Sequence, residues 1–170
     1  MRAPPTEQWK SLSQDLKIIH AVDLSRENPL LPSDIIYTRL FGKGKHNIYQ
    51  FTDEELKEID HKIVLSKAKT VALSFHGLRM NTDALRFVHY KKTGKFSSIT
   101  GLAGVASAKA VLAGDTRVPI SKKTLLEEQG WKVFDASGDK RLHIADWLQN
   151  IPDRTYANMG ELTEALEDIN

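Results

Sequence analysis

The chain has 170 residues, of which 41% are hydrophobic and 27% are charged, and its formal net charge is +2. This length suits one domain, or one domain with a small appendage, and this composition predicts a packed core rather than disorder. The chain contains no cysteine, which excludes disulfide frameworks, thiolate metal sites and cysteine nucleophiles, and it has no apolar run long enough for a membrane helix.

Three short apolar runs predict parallel β-strands at residues 17–24, Ile35–Leu40 and Thr70–Phe75. Each run is nearly continuous in apolar residues instead of alternating with polar ones. That pattern is typical of parallel strands that are covered on both faces. The sequence therefore predicts an α/β layer rather than an antiparallel sheet.

Helical patterns follow the second and third runs. Residues 52–67 have the apolar spacing of a helix, and Thr52 and Glu55 have the spacing of a capping box at its start. Strand, helix and strand together predict a parallel crossover unit. After the third run, residues 81–93 are predicted to form a helix that ends at Gly94.

Charge and composition divide the chain near residues 114–119. Residues 116–170 carry seven Lys/Arg and ten Asp/Glu, which leaves 17 basic and 12 acidic residues in the remainder. We therefore predict an α/β domain over residues 1–115 and a small helical module over residues 116–170, which is too small to be stable unless it docks on the first domain. The tail's helical candidates are 121–129, 144–150 and 159–169, and its core candidates are Trp131, Phe134, Trp147 and Tyr156.

Four segments follow one another between residues 16 and 94: IIHAVDL, IIYTRLFG, YQFTDEEL and SFHGLRMNTDALRF. In this order they resemble the family called domain of unknown function 72, also described as YecE-like. They are similar to its Ile-His-x-Val-Asp strand, its Tyr-x-Arg-Leu-His-Gly strand, its Tyr-x-Asp-Glu-Glu-Leu helix start and its Phe-Asn-Asn segment. The resemblance covers the C-terminal part of the family. The tail resembles that of archaeal members, and residues 118–168 also resemble the small domain of unknown function 2795.

The resemblance implies a fold like the barrel of triosephosphate isomerase. Such barrels take about 250 residues for eight strands, whereas this chain offers three candidate strands. We therefore expect parallel β/α units that form the C-terminal part of an incomplete barrel, or an open α/β layer. Open sheet edges invite pairing, so we expect a homo-oligomer or a partner chain that supplies the missing strands.

In parallel α/β barrels, functional groups follow the carboxyl ends of strands, and here that rule selects Asp23, Arg39, Phe41, Gly42, Phe75 and His76. Arg39 is the leading candidate, because a guanidinium group can bind a phosphate or carboxylate through two parallel hydrogen bonds. The loop after it adds cations, glycines and one aromatic ring, at Lys43, Gly44, Lys45, His46 and Tyr49. The alternative interpretation is a structural Arg39–Asp23 ion pair beside a solvated loop.

His76 and Asp23 are the candidate catalytic residues, with His76 as a general base. A lone histidine more often only forms hydrogen bonds. His20 is interpreted as a core residue, although His20, Asp23 and His76 together would suit zinc or manganese; no histidine spacing supports that, and we predict no metal ligands. Phe41 stands where the family has histidine, and His76 and Gly77 replace two asparagines. These departures favour binding over catalysis.

Arg39 and the loop at residues 43–46 lead us to expect a protein that binds a phosphorylated ligand or a nucleic acid. The absence of cysteine and of an apolar run of membrane length predicts a cytoplasmic location. One alternative is a non-catalytic interaction module that a partner chain or a second copy completes. Another is a small-molecule or metal-assisted hydrolase that uses His76. The sequence leaves the cofactor and the question of enzymatic activity open, and it indicates no membrane partner.

Overall fold

A computed structural model of the chain describes residues 7–169. The fold is mixed α/β, with seven helices and six short strands in the described part. In chain order the elements are α1 (Glu7–Asp15), β1 (Ile35–Leu40), α2 (Asp53–Ser66), β2 (Thr70–Phe75), α3 (Met80–Thr93), α4 (Gly104–Ala113), β3 (Ile120–Ser121), α5 (Lys122–Gln129), β4 (Val133–Asp135), β5 (Arg141–His143), α6 (Ala145–Leu148), β6 (Thr155–Tyr156) and α7 (Met159–Glu167). None of these helices combines the length and the apolar character that crossing a membrane requires.

The predicted strand–helix–strand unit is confirmed. β1 and β2 pair in parallel over their whole length, and α2 connects them. The capping box also forms: the Glu55 amide donates to Thr52 Oγ1 at 3.3 Å, and the Thr52 amide donates to Glu55 Oε2 at 3.0 Å. Gly94 ends α3 in the left-handed conformation, at φ 74°. The capping box and the helix end arise from interactions between near neighbours, which is why the sequence predicts them.

The prediction of a strand at residues 17–24 is wrong. Only Val22 joins the sheet, through a single parallel bridge to Thr38 in which its carbonyl accepts from the Arg39 amide at 3.1 Å. The backbone turns directly afterwards, because the Asp23 carboxylate accepts hydrogen bonds from both the amide and the hydroxyl of Ser25. This local turn ends the pairing before a third strand can form.

The parallel sheet is small, and no closed barrel forms in residues 7–169. One face is packed: Ile36 and Leu40 of β1 are buried in a core with residues of β2, α2 and α3. The opposite face is open, since Ile35 and Tyr37 are 42% and 40% exposed and Arg39 is exposed beside them. The expectation of two covered faces is therefore wrong for β1, although its apolar sequence suits a covered strand.

The C-terminal part is not purely helical. Two antiparallel pairs, β3 with β6 and β4 with β5, lie among α5, α6 and α7. Phe134 and Tyr156 are fully buried in its core, as predicted, and Trp147 packs edge-on against Phe134 at 4.8 Å. Helix α4, which precedes the predicted boundary near residue 115, contributes three residues to this same core: Ala108, Val111 and Leu112.

A chain of buried charges joins the two parts. Asp53, in the first turn of α2, accepts hydrogen bonds from Arg86 of α3 at 2.5 Å and from Arg141 of β5 at 3.1 Å. Arg86 also binds Asp83 at 3.0 Å, and Arg141 binds Asp135 at 3.1 Å. All five side chains are buried. Since unpaired buried charges are costly, these five groups stabilise the fold only when both parts are in place.

Neutral hydrogen bonds reinforce the same junction. The Gln50 side-chain oxygen accepts from the Val133 amide at 2.9 Å, and the Gln50 carbonyl accepts from Nε2 of His143 at 2.8 Å. The segment before α2 is therefore tied to both β4 and β5.

The pKa values of the two aspartates at the ends of the network are shifted in opposite directions. Burial raises the pKa of Asp83 to about 7, against the opposing effect of Arg86. Burial also acts to raise the pKa of Asp135, but hydrogen bonds from Thr100 and Ile99 outweigh it and hold that pKa below its usual value. Three carboxylates share two guanidinium groups, and burial favours the protonated form of Asp83.

Replacing Arg141 with alanine should destabilise the protein strongly, because Asp53 and Asp135 would each lose a buried cationic partner. We expect the free energy of unfolding to fall by about 3–5 kcal/mol, the usual cost of breaking a buried ion pair. Urea unfolding measures this change. Lys140→Ala removes the exposed neighbouring cation and should cost less than about 0.5 kcal/mol. Equal losses in the two variants would contradict a stabilising role for the network.

Raising the pH should destabilise the protein through Asp83. Its folded pKa of about 7 lies above the value of about 3.9 in an unfolded chain. Between these values the folded protein holds a proton that the unfolded chain has released. The stabilisation from this proton is therefore full below about pH 4 and is lost as the pH rises through about 7.

Urea unfolding of the wild type and Asp83→Asn across this pH range isolates the effect. The stability of the wild type relative to the variant should decrease as the pH rises. Asp139→Asn serves as the control, because the Ser137 hydroxyl lowers the pKa of Asp139 and places its titration below this range. A constant difference between the wild type and Asp83→Asn would contradict the prediction.

Candidate functional site

A cleft of about 910 Å³ lies at the carboxyl ends of β1 and β2. Parallel strands end at the same edge of their sheet, so residues that follow them meet there. Six of the residues selected in the sequence analysis line this cleft: Asp23, Arg39, Phe41, Gly44, His46 and His76. The other lining residues are Ala21, Val22, Arg26, Glu27 and Asn47.

Arg39 and His76 contact each other directly. Arg39 Nε donates to His76 Nε2 at 3.3 Å, and because a guanidinium only donates, Nε2 must be the accepting nitrogen. The neutral ring therefore carries its proton on Nδ1. Ser74 Oγ lies 3.1 Å from the same Nε2, whose single lone pair the Ser74 hydroxyl and Arg39 Nε would have to share. His76 thus orients Arg39, while Nη1 and Nη2 of Arg39 form no hydrogen bond with any described residue.

Ser74 was missed by the sequence analysis. It pairs in register with Arg39 on the neighbouring strand, so both side chains lie on the open face of the sheet. The signal was present in the two-residue spacing of Ser74 and His76, which places their side chains on one side of an extended chain.

Phe41 lies at the centre of the site. Its ring stacks with His76 at 4.6 Å and with His46 at 5.1 Å between ring centroids. The Arg39 guanidinium carbon lies 5.2 Å from the centre of the same ring. A phenyl ring carries no exchangeable proton, so Phe41 supports the cationic and imidazole groups without taking part in proton transfer.

Asp23 holds the backbone at the edge of the cleft. Its carboxylate accepts from the Phe41 amide at 2.9 Å and from Ser25, and its side chain is only 11% exposed. The cation beside it is Arg26, at 3.8 Å. The predicted alternative of an Arg39–Asp23 ion pair is therefore wrong, because Arg26 occupies that position and leaves Arg39 unpaired by any described carboxylate.

Arg26 also anchors the glycine loop. Its Nε donates to the Gly42 carbonyl at 2.6 Å, and its Nη2 donates to the Gly44 carbonyl at 3.3 Å. Gly42 has a φ of 75°, and a Cβ atom there would collide with the ring of Tyr49. Both the backbone conformation and the space therefore require glycine. Arg26 lies in a proline-containing connector, where no sequence pattern indicated a role.

The remaining loop residues point away from the cleft. Lys43 pairs with Glu55 and Glu58 of α2, at 3.3 and 3.8 Å. The Tyr49 hydroxyl donates to Glu55, and burial raises the pKa of Tyr49 above its usual range. Lys45 borders a separate cavity of about 270 Å³ near the C-terminal part. The loop therefore does not present one continuous cationic surface.

His20, Asp23 and His76 do not converge, as the metal site considered in the sequence analysis would have required. His20 accepts a hydrogen bond from the Leu30 amide at 3.2 Å and borders a different cavity. Within residues 7–169, no group of three or more His, Asp or Glu side chains is placed to hold a metal ion. The site offers an unpaired guanidinium and two imidazoles, which suit an anionic oxygen ligand, and its lining also includes Asp23, which is engaged by Phe41 and Ser25, and Glu27.

No family model matches the chain, and comparisons with curated proteins and with solved structures found no match. A functional assignment therefore depends on the chemistry of the cleft itself.

Proposed function

We propose that the cleft binds a small ligand that carries a phosphate group, with Arg39 as its principal contact. One observation carries this proposal: His76 holds Arg39 through Nε, while both Nη atoms have no partner among the described residues. That edge of a guanidinium can donate two parallel hydrogen bonds to a phosphate. His46, stacked on Phe41 at the exposed side of the cleft, can supply a further donor.

The position of the cleft supports the same proposal. Ligands of parallel α/β proteins bind beyond the carboxyl ends of the strands, and barrels often bind phosphate there. The sequence also resembles the C-terminal part of a triosephosphate-isomerase-like barrel. In that resemblance Arg39 lies near the end of a strand, which is consistent with this location. The cleft volume of about 910 Å³ accommodates a nucleotide-sized ligand.

A small ligand is favoured over a nucleic acid. Binding a nucleic acid requires several cations along the path of its backbone. Here Lys43 is paired with two glutamates, Lys45 borders another cavity, and Arg26 is occupied by Asp23 and the loop carbonyls. Arg39 therefore remains as the principal cation available to a ligand.

Binding is also favoured over hydrolysis. A general base needs an accepting nitrogen that faces the substrate. Nε2 of His76 instead faces Arg39 and Ser74, and the carboxylate of Asp23 is engaged by Phe41 and Ser25. The contacts of both residues hold neighbouring groups in position, and this structural role is enough to explain why His76 and Asp23 lie in the cleft.

Arg39→Ala should weaken the binding of adenosine monophosphate and of inorganic phosphate. Losing a charged pair of hydrogen bonds costs about 1.5–3 kcal/mol, or roughly ten- to hundredfold in affinity. Isothermal titration calorimetry at low salt measures the change. Arg117→Ala, which removes an exposed arginine outside the cleft, is the matched control and should bind like the wild type.

Two outcomes would contradict the proposal. One is equal phosphate binding by the wild type and Arg39→Ala. The other is tighter binding of a single-stranded oligonucleotide than of the mononucleotide, with a loss in Lys43→Ala and Lys45→Ala, which would indicate a nucleic-acid surface.

We also propose that a second copy of the chain pairs along the free edge of β2. Within the described residues β2 pairs only with β1, and its sequence, TVALSF, has no charge or proline to protect the other edge. Two identical edges are self-complementary about a twofold axis. The open sheet face beside this edge and Leu85 of α3, which is 70% exposed, provide apolar surface for such a contact.

This pairing would leave the chain in an oligomer at micromolar concentration, and native mass spectrometry tests it. Ala72→Lys places a charge on the exposed face of β2 and should shift the population toward monomer. Val64→Lys makes a similar change on the exposed surface of α2 and should leave the oligomer intact. A wild-type monomer at all concentrations would refute the proposal, as would an oligomer that contains a different partner chain.

A further inference from the structure

A second cavity, of about 340 Å³, lies at the opposite end of β1 from the phosphate cleft. It is bounded by the first residues of β1, the last turn of α2 and the connector that follows residue 27. Its apolar wall consists of Pro29, Leu31, Pro32, Ile35, Ile36 and Leu65. A cavity of this size and lining is typical of a site for a small apolar molecule.

His20 contributes a hydrogen-bond donor at this cavity. The Leu30 amide donates to Nδ1 at 3.2 Å, so Nδ1 carries no proton and the ring proton is on Nε2. The hydrogen bond that ties the connector to His20 therefore also fixes the tautomer of its ring.

Lys62 and Ser33 are also donors. Lys62 Nζ donates to the Leu24 carbonyl at 2.5 Å, which leaves two of its N–H groups for other partners. Ser33 Oγ accepts from the Ile35 amide at 3.2 Å, so its hydroxyl proton remains available. The hydroxyl of Ser66, by contrast, is fully engaged: it donates to the Ile63 carbonyl and accepts from the Ala68 amide.

The charge at the cavity is one-sided. Lys62 is the charged residue among those that line it, and no Asp or Glu of the described chain is in that lining. An apolar wall with one cation and two neutral donors is complementary to a molecule with an apolar body and one acidic head.

We propose that this cavity binds a small amphipathic carboxylate. Its carboxylate lies at Lys62 and His20, and its hydrocarbon body packs against Pro29, Leu31 and Leu65. This site differs from the phosphate cleft in place and in chemistry, because it combines a cation with an apolar wall at the amino-terminal end of the strand.

Octanoate is a suitable probe, and octan-1-ol is its neutral counterpart. Calorimetry or chemical-shift titration of the full chain should show saturable octanoate binding, at least about tenfold tighter than that of octanol, the effect of one charge-assisted hydrogen bond. Lys62→Met should abolish this preference while keeping the octanol affinity. Lys62→Arg should retain it. Lys69→Met, which removes an exposed lysine outside the cavity, should behave as wild type.

Leu65→Asn is a second test that adds no charge beside Lys62. It should weaken octanoate and octanol together, because it places a polar amide on the apolar wall. Arg39→Ala should leave octanoate binding unchanged, which separates this site from the phosphate cleft. The proposal is overturned if octanoate does not saturate, if octanol binds as tightly, or if Lys62→Met keeps the preference for octanoate.

Discussion

The position of Asp53 is the constraint on which the rest of the structure depends. Its carboxylate is buried at the start of α2 and binds two arginines, one 33 and one 88 residues later in the chain. Burying a charge is costly unless it is paired, and removing one partner leaves the others uncompensated. The first turn of α2 can therefore take its place only when α3 and β5 also do. The two parts of the chain are thus joined by buried ion pairs as well as by apolar packing.

This constraint reaches the cleft through the segment that precedes α2. Gln50 is bound to β4 and β5, and Tyr49 beside it fills the space against Gly42 and binds Glu55 of the capping box. From the other side, Arg26 holds the carbonyls of Gly42 and Gly44. The loop is therefore fixed at both ends before any ligand arrives, and a ligand does not have to supply the entropy cost of ordering it. The proposed phosphate ligand would therefore meet a loop that is already ordered around the unpaired guanidinium of Arg39.

Local signals predicted the elements that depend on near neighbours: β1, α2 with its cap, β2, and the end of α3 at Gly94. The rule that parallel strands end at one edge also placed Arg39, His46 and His76 in one cleft. It could not show that Lys43 turns toward Glu55 or that Arg26 takes the place of Arg39 beside Asp23. Those choices depend on residues far apart in sequence, as does the buried network. The apolar run at residues 17–24 was misleading because a short side-chain turn at Asp23 competes with strand pairing.

The open face of the sheet connects the two proposed sites. Ile35 borders the second cavity, which is proposed to bind a small amphipathic carboxylate, and Arg39 borders the phosphate cleft. Tyr37 lies between these two residues on the same exposed face of the sheet. A second chain that covered this face would contact the margins of both cavities. Its association would then depend on what each cavity holds, and by linkage each ligand's affinity would depend on association by the same factor. In such an assembly, the exposed face of the sheet would be the surface through which the two proposed sites influence each other.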